Sequence, residues 1–199
     1  MLIVSDDRCA VEADLAAGRL GCPCCGVGVL GGWGCARLRV LRTLEGQRRL
    51  RPRRGRCREA ACLSTHVLLP DVCLARRRDA VEVIGEALVC LAGEAYRPVA
   101  ERLGVPAETV RDWGLRFRSR AGLIADHFWR WARALDGALS ASGLPGSPVL
   151  DAVEAIGCCA RAASLALGRR APWSWVAALT AGGLLALEIN TSPPWPVAE

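Results

Sequence analysis

Cys22-Pro23-Cys24-Cys25-Gly26 sets two thiols at C-x2-C spacing and follows the second with glycine, the arrangement of a metal knuckle. The tight turn between such cysteines aims both sulfurs at one ion, and glycine lets the backbone turn without a Cβ clash. A second pair, Cys57 and Cys62, is spaced C-x4-C, within the range of zinc-binding spacings. The expected ligand set for a structural Zn²⁺ is therefore Cys22, Cys25, Cys57 and Cys62. Four protein ligands close the coordination sphere, so this metal would not be catalytic. Cys24 stays open as a substitute for Cys22 or Cys25, and His66 as a substitute for Cys62. The other six of the 11 cysteines show no such pairing and read as small apolar side chains.

Cys25 and Cys57 are separated by 31 residues, longer than the usual distance between paired knuckles. That length suits a two-strand ribbon carrying an arginine-rich hairpin. From Arg37 to Arg58 there are ten arginines and a single acid, Glu45. Arg39-Val40-Leu41-Arg42 and Arg49-Leu50-Arg51 alternate as strands with a basic face would. Guanidinium groups bond phosphate in a bidentate manner. Arg49, Arg51, Arg53, Arg54 and Arg56 are accordingly the expected contacts to a DNA backbone.

The segment from Tyr96 to Trp113 has the pattern of a helix-turn-helix. Ala100 stands at its fifth position, Gly104 at its ninth, and Val99, Leu103, Val105, Val110 and Trp113 at its apolar positions. A small residue lets two helices cross closely, and glycine supplies the left-handed turn between them. Residues 79–94 provide a preceding helix, with Val83, Ile84, Ala87, Leu88 and Leu91 on one face. In such a unit the second helix enters the major groove with its N-terminal half. Ala107, Glu108, Thr109, Arg111 and Asp112 are then the expected base-facing positions, with Arg116 and Arg118 set for phosphates. Arg111 suits guanine, and Glu108 or Asp112 suits the cytosine amino group.

Charge distribution agrees with these assignments. All 26 basic residues are arginine, and the chain carries +6 overall. Residues 37–120 hold +9, against −2 before them and −1 after them. Composition bias alone would spread arginine evenly, whereas a polyanion-binding region concentrates it. The exclusive use of arginine itself reads as genome bias.

The first residues lack the basic and apolar regions of a signal peptide. The most apolar run, Val176 to Leu187, is too short to span a bilayer and reads as a buried helix. The expected setting is cytoplasmic, without membrane attachment. Ile124, Phe128, Trp131, Leu135 and Leu139 form one helix face, beside which His127 reads as a partly buried polar side chain. These C-terminal helices would either pack on the helix-turn-helix or join two copies as a homodimer.

The succession of CPxCG, basic ribbon, Cys57-Arg58 to Cys62, residues 65–70 (THVLLP) and helix-turn-helix resembles an uncharacterised family. It is similar to the zinc-ribbon plus helix-turn-helix proteins of high-GC bacteria, whose front ends are similar to transposase DNA-binding regions. The resemblance spans about residues 20–135 and implies the same four cysteine ligands, with a second knuckle two residues longer than the family's C-x2-C. A transposase also needs convergent carboxylates on a mixed α/β fold. The 81 residues after Arg118 read as helices with scattered acids, which argues against catalysis.

The expected fold is mainly α with a small β zinc ribbon, a tri-helical helix-turn-helix and further C-terminal helices. The expected parts are an N-terminal segment (1–19), a zinc-ribbon-like domain (20–72), a helix-turn-helix domain (77–140) and a C-terminal helical segment (148–190). The expected function is binding of double-stranded DNA, in transcriptional regulation or in association with a mobile element. Its rivals are a transposase or recombinase, or a remnant of one, and a zinc-stabilised protein-interaction module.

Overall fold

A computed structural model of the protein describes residues 1–139 and 147–186. Its elements divide into a sheet half and a helical half. The sheet half begins with β1 (Leu2–Val4) and α1 (Arg8–Ala16), followed by β2 (Leu30–Cys35), β3 (Arg39–Thr43), β4 (Gly46–Leu50), β5 (Arg53–Cys57) and β6 (Thr65–Pro70). Four strands form one mixed sheet in the order β1-β6-β5-β2. β1 runs parallel to β6, whereas the other neighbours are antiparallel. β3 and β4 pair separately as a hairpin.

This is a mixed α/β architecture, with more sheet than the expected mainly α fold. The difference arises at both ends of the ribbon. Residues 2–4 add a parallel strand, and α1 covers the sheet with Val11 and Leu15. The Asp7 side chain caps α1 by accepting from the amides of Cys9 and Ala10, which satisfies donors the first turn leaves free. The strand expected around Arg49-Leu50-Arg51 also ends at Leu50. Pro52 has no amide to donate to a ladder, and the chain passes there from β4 to β5.

The helical half contains α2 (Val81–Cys90), α3 (Tyr96–Leu103), α4 (Ala107–Arg118), α5 (Ala121–Leu135), α6 (Pro148–Leu167) and α7 (Pro172–Leu179). Its core gathers Ile84, Leu88, Val99, Ala100, Val110, Trp113, Phe117, Ile124 and Phe128. To this core α6 contributes Ala152, Ala155, Ile156 and Cys159. Small side chains on α6 allow it to lie close along α5. The C-terminal helices therefore pack on α2 and α4, the first of the two arrangements the sequence left open.

Polar ties cross this packing. The buried His127 ring on α5 meets the Leu179 carbonyl at 3.0 Å, and Trp129 donates its indole N–H to Asp151 on α6 at 3.0 Å. His127 is thus fully buried, where partial burial was expected. Arg170 reaches back to Asp71, just after β6, at 2.9 Å. The expected buried helix over Val176 to Leu187 stops early. α7 ends at Leu179, and Ala181 and Gly182 both take positive φ, a conformation that cannot continue a right-handed helix. Residues 187–199, and most of the expected loop at 142–148, lie outside the described residues.

Candidate metal centre and nucleic-acid interface

The four knuckle cysteines meet beside the sheet. Cys22 and Cys25 come from the turn before β2, Cys57 ends β5, and Cys62 lies in the turn before β6. All four sulfurs lie within 4.8 Å of one another. Cys22 and Cys62 are 3.8 Å apart, and Cys25 and Cys57 are 3.7 Å apart. Sulfurs at about 2.3 Å from a tetrahedral zinc stand about 3.8 Å from each other, far beyond the disulfide distance of about 2 Å. The group can hold a metal ion.

Backbone bonds set each knuckle. The Gly26 amide donates to the Cys22 carbonyl at 3.0 Å, and the Cys22 amide donates to the Gly28 carbonyl at 2.7 Å. Gly26 occupies φ +72°, the left-handed region that its position after the second cysteine requires. In the longer knuckle the Cys62 amide bonds the Glu59 carbonyl at 3.0 Å, so one extra turn absorbs the two additional residues.

Sulfur hydrogen bonding and burial pull the thiols in different directions. Amides at Gly28 and Val27 lower the Cys25 thiol, and Ser64 draws Cys62 down to about 6. Burial pushes Cys57 up to about 12. A cation supplies the opposite charge that a buried thiolate otherwise lacks.

Both substitutes left open by the sequence stand outside the four-sulfur group. Cys24 is exposed and accepts a hydrogen bond from Ser64 at 3.4 Å. His66 places Nε2 3.4 Å from the Cys22 sulfur, adjacent to a ligand position. Gly28 belongs to the site but escaped the sequence reading. A Cβ there would stand 2.5 Å from the Cys57 sulfur and 3.3 Å from that of Cys25. Its position, three residues after Cys25, was the available signal.

The expected phosphate-binding arginines do not form one face. Alternation along β5 points Arg53 toward α1, where it pairs with Glu12 at 2.6 Å. Arg54 instead donates to Thr65 at 3.0 Å, and Arg56 stacks over Trp33 at 4.6 Å. Arg49 and Arg51 are exposed, on and just beyond β4.

α3 and α4 are joined through Gly104, whose φ of +60° and ψ of +33° put the connection in the left-handed region. The Val105 amide bonds the Ala100 carbonyl at 3.0 Å, and Val110, Trp113 and Phe117 bury the inner side of α4. Glu108, Arg111 and Arg118 are exposed, while Ala107, Thr109, Asp112 and Arg116 are half-buried. Arg111 pairs with Glu108 at 3.0 Å, and Arg116 pairs with Asp112 at 2.8 Å. Both outward acids are therefore matched within the helix.

A cleft of about 500 Å³ opens beside the start of α4, and five of its lining residues are arginines: 39 and 42 from β3 and 76–78 from the connection before α2. None was among the expected contacts. The run of three arginines at 76–78 was visible in the sequence, but its place next to α4 required the fold.

No protein-family model matches the chain, and neither a curated protein nor a solved structure matches it. Among the described residues, no helix is long and apolar enough to cross a membrane.

Proposed function

We propose that the protein binds double-stranded DNA, with one structural Zn²⁺ on Cys22, Cys25, Cys57 and Cys62. The observation that carries this reading is the joint between α3 and α4. Gly104 in the left-handed region turns the chain, Ala100 and Val110 seal the crossing, and the outward side of α4 keeps Glu108, Arg111 and Arg118 exposed. That arrangement supports a helix-turn-helix reading, in which the second helix lies against the major groove.

In that role Arg111 reads a guanine edge and exchanges its Glu108 partner for the base. An exposed pair of this kind contributes little stability, so releasing it costs little. The zinc fixes the sheet half, and thereby the hairpin that leans on the helical half through the buried Leu41. Localisation to the bacterial nucleoid follows from the same reading.

Gel shifts on random-sequence DNA at several salt concentrations, with a zinc assay alongside, test it. Retention that weakens as salt rises, one zinc per chain, and loss of sequence preference in Arg111→Ala are expected. Cys22→Ser should lower the zinc content. Absence of DNA retention by the wild type at low salt would overturn the reading.

A further inference from the structure

A second set of arginines, apart from the expected contacts of the basic ribbon, gathers beside α4. The cleft beside α4 brings together Arg39, Arg42, Arg76, Arg77 and Arg78, with Asp79 as its only acid. It is open, and its walls are tied together by backbone bonds. The Arg42 amide donates to the Arg78 carbonyl at 3.0 Å, and the Ala80 amide donates to the Arg42 carbonyl at 2.8 Å.

The five guanidinium groups are not equally occupied. Arg42 faces the buried Asp79 at 3.4 Å, Arg39 donates to the Arg77 carbonyl at 2.6 Å, and Arg77 donates to the Leu185 carbonyl at 3.2 Å. Arg76 and Arg78 are exposed, and among the described residues their guanidinium groups make no hydrogen bond or ion pair. Arg76 also holds φ +59°, the left-handed region, where a Cβ crowds the following carbonyl. Three consecutive arginines, the first at a positive φ, face two more from β3, and the buried Asp79 offsets only one of their charges. An anion in the cleft offsets more of them.

We infer that this cleft seats phosphodiester groups of the DNA strand flanking the groove entered by α4, with Arg76 and Arg78 as the principal phosphate contacts. The inference rests on the DNA-binding reading and adds to it which residues grip the backbone. Thr109, in the first turn of α4, shares the cleft wall. A phosphate held there lies next to the helix end that α4 presents to the bases, which is where groove reading and backbone engagement meet.

Each phosphate neutralised on duplex DNA contributes about −0.9 to the slope of log affinity against log salt. The test compares zinc-loaded wild type, Arg76→Gln/Arg78→Gln, Arg49→Gln/Arg51→Gln and the control Arg161→Gln on α6. Thermal melts verify folding, and fluorescence anisotropy on DNA duplexes of several sequences reads affinity across a salt series. The cleft variant should lose about two units of slope, weakening equally on every sequence, while Arg161→Gln matches wild type. Wild-type slope and affinity in the cleft variant, whatever the hairpin variant does, would overturn the inference and leave the DNA reading standing. Failure of the wild type to bind any duplex would remove both. Sodium tripolyphosphate titrated alone separates the other source of phosphate: tight binding to wild type without duplex binding, lost in the cleft variant, would assign the cleft to a soluble phosphate compound and overturn its assignment to DNA.

Discussion

The two halves of the molecule are built on cores of very different size. The sheet half buries Val4, Val11, Leu15, Leu30 and Leu68 together with Cys22 and Cys57, two of the four clustered cysteines. The helical half buries Trp113, Phe117, Phe128, Trp129, Ile84 and Leu88 within a continuous cluster that extends to α7. Burial of large apolar side chains stabilises by roughly 1.5–3 kcal/mol each, so the helical half has the larger core, and that core also takes in Leu41 of β3 and Leu69 of β6. The sheet half has the smaller core, and small units of this kind commonly add a staple such as a metal ion. Its central strand differs in a related way, since Arg53 and Arg54 direct their guanidinium groups to local partners and not outward.

In the proposed reading, removal of the zinc should break this contrast most sharply. Structural zinc supplies apparent free energies of about 10–16 kcal/mol in small zinc-folded peptides. Chelation, or Cys57→Ser, is expected to unfold the sheet of β1, β2, β5 and β6 while α2 to α7, with the hairpin packed on them through Leu41, keep their packing. Amide hydrogen exchange resolves the two halves: protection should vanish on β5 and β6 and persist on α4 and α5. Equal loss in both halves would mean that one cooperative core spans them.

The converse variant is Trp113→Ala. Trp113 is 1% exposed at the centre of the helical core, and truncating a buried tryptophan costs about 3–5 kcal/mol. Guanidinium denaturation should show that loss, with zinc content unchanged. Tryptophan fluorescence is a poor probe in this variant, so far-UV circular dichroism reads it. Gly104→Ala is a milder probe of the same half. Holding φ +60° costs a residue with a Cβ about 1–2 kcal/mol, and the denaturation midpoint should fall accordingly.

The same contrast explains which parts were legible in the sequence. The clustering of Cys22, Cys25, Cys57 and Cys62 was readable because a metal knuckle would fix residue type and spacing, and the additional residues of the second pair only lengthen a turn. The bounds of α4 were readable because Pro106 and the spacing of Val110, Trp113 and Phe117 are local signals. Strand β2 was not, since Leu30-Gly31-Gly32-Trp33-Gly34-Cys35 has almost no apolar alternation and is ordered by its pairing with β5. β1 was equally hidden: three residues make a strand only when β6 lies beside them. The early end of α7 depended on backbone conformation at Ala181 and Gly182 within an unbroken apolar run. The arginine cleft joins residues from β3 and the connection before α2, a juxtaposition that no one-dimensional charge count can reveal.

Acid should also separate the halves. Burial, and to a lesser degree the nearby Arg130, lowers the His127 pKa below the ordinary 6.5, partly opposed by the Leu179 carbonyl. A histidine with a depressed folded-state pKa stabilises the protein above its unfolded pKa. That contribution is lost as pH falls through 6.5 toward the folded value. His127→Gln should therefore flatten the fall in helical-half stability between about pH 7.5 and 5.5, measured by guanidinium denaturation with tryptophan fluorescence. Trp33 is the only described tryptophan in the sheet half, so this signal follows mainly the helices.

The smallest expected effect concerns the surface of α4, where neither burial nor a metal sets the energy. Arg111 and Glu108 pair at 3.0 Å with both side chains more than half exposed. Pairs of this kind contribute about 0–1 kcal/mol, and helical i,i+3 neighbours fall at the lower end. Glu108→Gln should leave the denaturation midpoint nearly unchanged while removing a negative charge from the side of α4 that faces DNA in the proposed reading. DNA affinity should rise, most clearly at low salt, because the lost acid no longer repels phosphate and Arg111 is released. A midpoint shift comparable to that of Gly104→Ala would show that the pair helps to hold α4 in place. The helical half would then draw part of its stability from surface charge as well as from its core.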